Sequence, residues 1–537
     1  MLRRLVLALF LAVGHVASAQ VELASSNLPI VVIETDGVQI PDEPKIPARM
    51  RIIDNGPGAR NAVTDPPNDY DGHVGIELRG TSSLGFPKRQ YGLETRDADG
   101  EDLDASLLGL PEEEDWVLSA PYSDKSLMRN VLAYHLARAT GRYASRTRFC
   151  ELVLNGAYVG VYVLTEKVKR DDNRVDISRL RPHETSGDDL TGGYIVQLDR
   201  PTEPGWFSAF PAAYPTSFEV FYQYDTPDGD DVAPEQEAYI QALIHEFERA
   251  MASEAPGDPA TGYPAIIDVG SFEDHVLVNE LAKNVDAYRL STYLHKDKDS
   301  RDPLLHAGPV WDFNIAFGNA YYYGGGDEAG YVYDTITFDN TQPVPFWWER
   351  LAESEAFRSG LSARWRELRA GPFHTDSLLA FIDSTASRLE EAQTRNFRRW
   401  PVLGVEVWPN VFVGETYAEE VEYLKRWVRA RALWLDGGLA TSSGPGAQTA
   451  DVAISVAPNP VRAHARVTVS VARTERVTVD LLDALGRRVA VLHDGPVAPG
   501  TDHALDLDAS GLAGGVYVVR ARGETFARAE TITVVPR

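Results

Sequence analysis

The sequence predicts an α+β protein with two lobes, followed by a small all-β sandwich. Three observations lead to this fold class. Short β-branched segments dominate the chain before about residue 234, helical patterns dominate from there to residue 436, and residues 451–537 alternate apolar and polar side chains between Gly and Pro turns. Strands grouped before helices are typical of α+β folds, and a run of short strands is typical of a sandwich. A cleft between the two lobes is then a candidate ligand site.

The composition excludes several classes of protein. The chain has 537 residues, 44% of them hydrophobic, and a net charge of −27. The hydrophobic fraction is that of a globular protein. The negative charge argues against nonspecific binding to nucleic acid or anionic membrane, although carboxylates that hold a divalent cation can still receive a nucleotide. Cys150 is the one cysteine, which excludes an intrachain disulfide and a cysteine-based zinc site.

The N-terminus and the domain boundaries can be predicted from local composition. Residues 1–19 have a basic start, an apolar stretch and an Ala-Ser-Ala cleavage motif, which together predict a secretory signal peptide. We expect no transmembrane segment, because no run of about 18 apolar residues occurs. The main domain is predicted at residues 20–440, a flexible linker at 441–450 and the sandwich at 451–537.

The first lobe contains strands and one helix. A helix is predicted at residues 123–140, with Asp124 as its N-cap. Asn155-Gly156 predicts a hairpin turn. The predicted strands lie at residues 28–35, 76–79, 89–95, 147–154 and 159–164.

The second lobe is mostly helical, with one hairpin of strands 291–295 and 304–309. Ser271 is predicted to cap its helix, with Asp274 three residues later. The predicted helices lie at residues 235–252, 271–284, 345–369, 374–399 and 416–435. The predicted sandwich strands lie at residues 452–456, 465–471, 476–482, 488–492, 503–507, 515–522 and 525–535.

Two aspartates flank the predicted hairpin of the second lobe. Asp286 precedes the hairpin and Asp312 follows it, 26 positions later. A hairpin returns the chain, so both carboxylates can face one site. Such a pair can share Mg²⁺ or Mn²⁺, and one carboxylate can accept a proton from an attacking hydroxyl. The spacing alone leaves a second interpretation open, since most aspartates at the ends of helices and strands are caps or turn formers.

A turn in the first lobe could bind phosphate. Residues 79–89 form a Gly- and Ser-containing turn followed by Lys88 and Arg89, and its backbone N–H groups and hydroxyls can cradle phosphate oxygens. The turn is not a Walker A loop, because Phe86-Pro87 separates Gly85 from Lys88. A plain polar hairpin is the alternative.

Five ordered blocks of the chain resemble the CotH kinase family. The resemblance covers residues 28–436 and implies a diverged, two-lobed protein-kinase-like domain. It also implies phosphate transfer from ATP, with Mg²⁺ or Mn²⁺, to hydroxyls of envelope or secreted proteins. The blocks are RGTSSLGFPKRQY (79–91), SLMRN (126–130), LNGAYVGVYVLTE (154–166), NVDAYRLSTYL (284–294) and GPVWDFNIAFG (308–318).

The resemblance assigns roles to residues of the second lobe. Asp286 matches the catalytic aspartate, and Asp312 matches the metal-binding aspartate. Ser291 and Asn314 stand at two further metal-binding positions, where other members carry Asn and Asp. One unit of negative charge is therefore missing beside the metal, which lowers the expected metal affinity.

The resemblance also implies a set of nucleotide-binding residues. Lys88 or Arg89 would contact phosphate, assisted by Arg79, and Glu166 would be either a nucleotide-facing or a cation-pairing carboxylate. With the two serines of the turn, the implied set is Arg79, Ser82, Ser83, Lys88, Arg89 and Glu166.

The C-terminal region has a second resemblance. Residues 457–460 (APNP), 481–489 (LLDALGRRV), 512–519 (LAGGVYVV) and the end 534–537 resemble the type A sorting domain of the type IX secretion system. This implies passage across the outer membrane by that machinery and a secreted or cell-surface location. An ordinary adhesion module is the alternative.

Three functions are compatible with these observations. The first is a metal- and ATP-dependent kinase that acts on proteins. The second is a noncatalytic structural or adhesive surface protein built on a kinase-like scaffold. The third is a carbohydrate-active enzyme that uses paired carboxylates, for which no further motif is present. Binding of ATP discriminates the first function from the other two.

Overall fold

A computed structural model describes most of the chain, in two compact units. Unit 1 holds the described residues within 1–120, 148–164 and 388–402, and unit 2 holds the described residues within 121–147, 165–387 and 403–537. The predicted signal peptide (1–19) and linker (441–450) lie outside the described residues. Within the described residues, no helix has the length and apolar character needed to cross a membrane. The structure describes residues 21–214, 216–336, 342–439, 453–471, 474–483, 488–498, 503–523 and 527–535.

Unit 1 is built around a closed barrel with the strand order β2-β3-β5-β6-β7-β9-β8. Parallel pairing of β8 with β2 closes it, and β1 and β4 form a separate ribbon. Closure removes the exposed edges of an open sheet. The strands are β1 (Ser25–Ser26), β2 (Ile30–Glu34), β3 (Ile46–Ile53), β4 (Asn61–Ala62), β5 (Tyr70–Arg79), β6 (Gln90–Arg96), β7 (Asp115–Ser119), β8 (Thr147–Leu154) and β9 (Ala157–Glu166).

The barrel interior is a packed apolar core. Cys150 lies in this core, where burial raises the pKa of its thiol to about 12, so it is an inert thiol at neutral pH. Beside β8, the carboxylate of Glu151 is fully buried and accepts hydrogen bonds from the Arg395 guanidinium. The core includes Val31, Ile33, Met50, Ile52, Val74, Ile76, Leu93, Trp116, Leu118, Leu152 and Tyr162.

Unit 2 contains an antiparallel sheet of five strands in the order β11-β12-β10-β13-β14. The predicted hairpin is confirmed, since Thr292 pairs with Val310 and His295 pairs with His306. The other three strands lie in a part of the sequence where no strand was predicted. The strands are β10 (Tyr194–Leu198), β11 (Gly205–Phe207), β12 (Phe221–Thr226), β13 (Thr292–Lys296) and β14 (Leu305–Val310).

Eight helices occur in the described residues, with short 3₁₀ helices at Ser82–Gly85, Gly187–Thr191 and Tyr263–Ala265. The last turns of α7, from Arg388 onward, belong to unit 1. The helices are α1 (Arg129–Ala139), α2 (Pro234–Ala252), α3 (Val269–Ala282), α4 (Val332–Ile336), α5 (Phe346–Glu353), α6 (Glu355–Arg369), α7 (Thr375–Arg399) and α8 (Tyr417–Leu439).

Two predicted helix starts and one predicted continuous helix were wrong, each near a capping side chain. The Asp124 carboxylate accepts the Arg129 N–H, so α1 begins at Arg129, six residues after the predicted start at residue 123. Asp268, not Ser271, caps α3, because its carboxylate accepts the Ser271 N–H at 2.7 Å. Ser354 ends α5 and caps α6, which divides the predicted helix 345–369 in two.

The described C-terminal part is all β, as predicted, and contains several sheets. A sheet of order β15-β16-β19 and a sheet of order β18-β17-β20-β21 enclose a core of mainly Val, Leu and Ala side chains. All seven predicted strands are present, with shifted ends. The strands are β15 (Ala453–Ala457), β16 (His464–Ser470), β17 (Glu475–Asp483), β18 (Arg488–Val497), β19 (His503–Asp508), β20 (Gly515–Arg522) and β21 (Ala527–Val534).

Candidate functional site

The two aspartates lie at the open end of the β13–β14 hairpin. Thr292, the first residue of β13, pairs with Val310, the last residue of β14. The segment before β13 and the segment after β14 therefore leave the sheet side by side. Asp286 belongs to the first segment and Asp312 to the second, and both side chains are half-buried.

The side chain of Asn284 joins the two segments. Its Nδ2 donates to the backbone carbonyl of Asp312 (3.3 Å), and its Oδ1 accepts the N–H of Asp286 (3.2 Å). The carboxylates also act on a common neighbour. Burial, and then the charges of Asp286 and Asp312, raise the pKa of the Tyr322 phenol above its ordinary value. The structure thus brings the two aspartates together.

Helix α1 holds the segment that carries Asp312. The Oδ1 of Asn130 accepts the Phe313 N–H at 2.7 Å, and the Tyr134 hydroxyl accepts the Asp312 N–H at 3.3 Å. Asn130 and Tyr134 are four residues apart and so lie on one face of the helix. Trp311 stacks on the Tyr134 ring, with 5.6 Å between centroids. A rigid helix therefore fixes the backbone on both sides of Asp312.

The backbone of this site is strained. Six of the ten non-glycine residues with positive φ in the described part of the chain lie between 283 and 323. They include Tyr288 (72°), Ser291 (46°), Asp312 (61°) and Phe317 (50°). Each such residue costs about 1–3 kcal/mol, and such strain clusters at functional sites. The strain agrees with a functional role for the loop around Asp286 and Asp312.

Arg289 orients the carboxylate of Asp286. Its guanidinium lies 3.5 Å from Asp286 Oδ1, donates to the Val285 carbonyl and lies 5.2 Å from the centre of the Tyr323 ring. The Arg289 side chain is only 2% exposed, whereas that of Asp286 is 23% exposed. A buried cation with several contacts thus holds a carboxylate that solvent can still reach.

Ser291 is bound by Asp199, a carboxylate that sequence reasoning missed. Asp199 follows β10, and its Oδ2 accepts the N–H of Ser291 (3.0 Å) and its hydroxyl (3.4 Å). No signal could have found Asp199, because β10 itself was not predicted. Asn314 is half-buried, and its backbone carbonyl accepts the Nδ2 of Asn319 at 2.8 Å.

The donors at this place fit a small, hard divalent cation. Mg²⁺ prefers oxygen ligands and is usually held by one or two carboxylates, with phosphate and water oxygens at its other positions. Asp286 and Asp312 supply two carboxylates on neighbouring segments, and Asn314 lies two residues beyond Asp312. Two carboxylates and one amide oxygen are ligand types that Mg²⁺ accepts.

A buried polar network stabilises the segment that carries Asp286. The Glu280 carboxylate accepts hydrogen bonds from the Tyr288 hydroxyl, the Val332 N–H and the Arg431 guanidinium, each at 2.9 Å. The ammonium group of Lys283 donates to the carbonyls of Asp327 and Ala329. These buried bonds tie α3, α8 and the glycine-rich loop 324–330 to the segment that carries Asp286.

The burial of Lys283 predicts a pH dependence of stability. Burial lowers the pKa of Lys283 to about 7, whereas an exposed lysine has a pKa of 10.5. Between these values only the unfolded chain holds the proton, so the free energy of unfolding rises with pH. We expect a rise of about 2 kcal/mol from pH 7 to pH 9. Urea unfolding at both pH values tests this, and the Lys283→Met variant should lack this part of the rise.

A cavity of about 260 Å³ lies beside this site, within unit 2. We call it the His275 cavity; Tyr143, Arg174, His275, His295 and Val310 are among the residues that line it. Burial lowers the pKa of both histidines to about 4, so both rings are neutral at neutral pH. Neither ring nitrogen of His275 has a hydrogen-bond partner in the described part of the chain. The buried imidazole thus has one donor and one acceptor without a partner in the described part of the chain.

Glu166 connects to a wall of the His275 cavity. This fully buried carboxylate accepts hydrogen bonds from the Tyr143 hydroxyl (3.2 Å) and from the backbone and guanidinium of Arg146. The cation that pairs with the Glu166 carboxylate is therefore Arg146.

The five remaining predicted site residues lie in unit 1, whereas Asp286, Ser291, Asp312, Asn314 and Glu166 lie in unit 2. Arg79 ends β5 opposite Gln90, Ser82 and Ser83 form a 3₁₀ turn, and Arg89 precedes β6. Lys88 is buried, and its Nζ donates to the Val161 carbonyl (2.6 Å) and to Asn396 Oδ1 (3.0 Å).

Comparison with solved structures gives short, distant overlaps. Dimeric latent PorU from Porphyromonas gingivalis is 21% identical over 16% of this chain and 9% of that chain, with a TM-score of 0.14. The endo-β-1,4-mannanase from Thermotoga petrophila is 11% identical over 25% of this chain and 27% of that chain, with a TM-score of 0.12. In both cases this chain covers less than two thirds of the solved chain. A search of curated proteins finds no match.

Family models cover most of the sequence. Residues 455–534 match the secretion system C-terminal sorting domain, which implies a type IX secretion machinery and a location at the cell surface or outside the cell. Residues 76–435, more than half of the chain, match the model described as CotH kinase protein. The chain belongs to the CotH kinase family and ends in a secretion sorting domain.

Proposed function

We propose that this chain is a secreted kinase that transfers phosphate from ATP to hydroxyls of secreted or envelope proteins, with Mg²⁺ or Mn²⁺. The observation that carries the proposal is the pair Asp286 and Asp312, joined through Asn284 at one end of the hairpin. A kinase-like arrangement of two lobes is part of the proposal.

The two aspartates have different tasks in this mechanism. Asp286 accepts the proton of the acceptor hydroxyl, a task for a carboxylate that solvent reaches and that Arg289 keeps in one orientation. Asp312 would hold the metal, with Asn314 as a neutral second donor. The bound metal–nucleotide supplies a phosphoryl group whose charge is partly neutralised. The protein mainly positions groups and supplies charge, which suits a strained, rigidly braced loop.

We place the nucleotide base in the His275 cavity. Pro309 and Val310 line this cavity, and the chain continues from them directly to Asp312. A base edge has donors and acceptors that a neutral His275 can satisfy. Of the phosphate-binding residues that the resemblance implies in unit 1, Arg79, Ser82, Ser83 and Arg89 stay part of the proposal. Lys88 does not, because its ammonium group is buried and donates to Val161 and Asn396.

The first test is nucleotide binding and phosphate transfer by the full chain. We expect ATP to bind in the presence of Mg²⁺ or Mn²⁺ and not after chelation, as measured by calorimetry. Radioactive ATP should label an added mixture of envelope proteins. If ATP fails to bind with either metal, the kinase function is wrong.

A noncatalytic scaffold is the second candidate function. Two observations favour it: Asp199 binds the Ser291 hydroxyl, and Asn314 is neutral where an acidic ligand would strengthen the metal site. A scaffold predicts no metal-dependent affinity for ATP, so the same titration separates the two functions.

A further inference from the structure

One end of the five-stranded sheet carries two phenylalanines beside the polar residues of the candidate site. At this end β10, β11 and β14 finish, whereas β12 and β13 begin. The residues there, in the order of the strands, are Phe207, Phe221, Asp199, Ser291 and Asp312. Adjacent strands lie about 4.8 Å apart, so β12 is roughly 15 Å from β14 along this edge. A chain segment of a few residues could therefore reach from the phenylalanines to the aspartates.

A second cavity, of about 250 Å³, opens at the phenylalanine side of this edge. We call it the Phe218 cavity. Arg289 and Asp199 both line it. Since Arg289 also contacts Asp286, and Asp199 also binds Ser291, the cavity shares its polar wall with the candidate catalytic loop. Phe207, Phe218, Glu219 and Phe221 also line it.

The rim of the Phe218 cavity is exposed and aromatic. Phe207 is 51% exposed and Phe218 is 47% exposed. Among the described residues they are the two exposed phenylalanines, and both line this cavity. The Phe207 ring also packs on buried Phe221, with 5.0 Å between centroids. Apolar side chains gathered in this way around a concave surface mark an interaction site.

The chemistry of the cavity selects an apolar group. The phenylalanine rings carry no hydrogen-bonding atom, in contrast to the Trp and Tyr side chains that suit a sugar. Arg289 is paired with Asp286, and the Asp199 carboxylate accepts hydrogen bonds from Ser291 and from the Arg200 N–H. Glu219 is exposed, where salt screens its attraction for a charged side chain. Apolar contact is therefore the main interaction the cavity offers.

We infer that the Phe218 cavity binds an aromatic or leucine-like side chain of the acceptor polypeptide, close in sequence to the hydroxyl presented to Asp286. This inference rests on the proposed kinase function and names its acceptor class. The cavity places the acceptor chain along the sheet edge, and the shared Arg289 links its occupancy to the position of Asp286.

A peptide array tests the inference without requiring catalysis. The full chain is applied to immobilised 11-residue peptides with a central Ser, in which each flanking position carries Phe, Leu, Ala, Lys or Asp in turn. We expect Phe or Leu at one or two positions to increase retention about tenfold over Ala. The Phe218→Ser and Phe207→Ser variants should lose this preference. Leu433→Ser is the matched control, because Leu433 is 59% exposed on α8 and should keep it.

The outcomes separate the inference from the kinase function. Retention that follows Lys or Asp, that ignores all flanking residues, or that is unchanged in both phenylalanine variants overturns the inference, provided that thermal unfolding shows the variants to be folded. If the apolar preference is present but radioactive ATP labels none of the retained peptides, the docking site stands and the kinase function is wrong. If radioactive ATP labels the peptides but no apolar preference is seen, the kinase function stands and the docking site is wrong.

Discussion

Replacing Asp312 by alanine is expected to abolish the binding of metal–ATP to the full chain. Asp312 is the carboxylate that α1 braces most directly, through the Tyr134 hydroxyl and the neighbouring bond from Phe313 to Asn130. Asn314 cannot replace its charge. Loss of groups that merely orient a metal ligand lowers metal affinity about 10–100-fold, so loss of the ligand itself should lower it by at least about 100-fold. Calorimetric titration with Mg²⁺ and ATP measures the change.

The control for this prediction is an aspartate of the same unit outside the site. Asp376 lies in the first turn of α7 with its side chain 90% exposed, so Asp376→Ala should bind ATP as the unmodified chain does. Equal ATP affinity in the Asp312→Ala variant and the unmodified chain would remove the metal site from the proposal.

Replacing Asp286 by alanine is expected to eliminate phosphate transfer and to leave ATP binding largely intact. A positioned general base contributes about 10²–10⁴-fold to a rate, so initial labelling rates with radioactive ATP should fall by about 10³-fold. ATP affinity should change little, because the acceptor hydroxyl and not the nucleotide is the partner of Asp286.

The substitution must be separated from damage to the fold. Asp286→Ala takes a counter-ion from the buried Arg289, whereas Asp286→Asn keeps an oxygen near that guanidinium and removes only the basic carboxylate. Both variants should lose transfer, and Asp286→Asn should retain the thermal stability of the parent chain. A labelling rate that survives in Asp286→Asn would assign the base to another residue.

Local features of the fold were predictable from the sequence. The Asn155-Gly156 turn occurs where predicted, with both residues at positive φ, and the β13–β14 hairpin occurs between the two aspartates. Helices with a strong apolar period, such as α2 and α8, also occur within a few residues of their predicted bounds. Each of these features depends on residues close together in the sequence, so local residue types and apolar spacing predict it.

Features that depend on distant partners were not predictable in the same way. The barrel closes because β2 pairs with β8, which joins Ile30 to Glu151, and nothing in either segment specifies the other. Asp199 was missed for the same reason, since its importance comes only from the antiparallel pairing of β10 with β13. For the candidate site, sequence order and family resemblance suggested Asp286 and Asp312, whereas Asn284, Tyr134 and Arg289 became visible only as contacts.

Unit 1 is assembled from three separate segments of the chain, and this has a consequence for biosynthesis. Its fully buried Glu151 is paired with Arg395, a residue made some 240 positions later, after most of the other unit has been translated. Until then the carboxylate lacks its counter-ion, and a buried charge without a partner costs several kcal/mol. The barrel therefore cannot reach its final stability as a nascent N-terminal fragment. The two units are interleaved along the polypeptide, so unit 1 gains its full stability only after most of unit 2 has been synthesised.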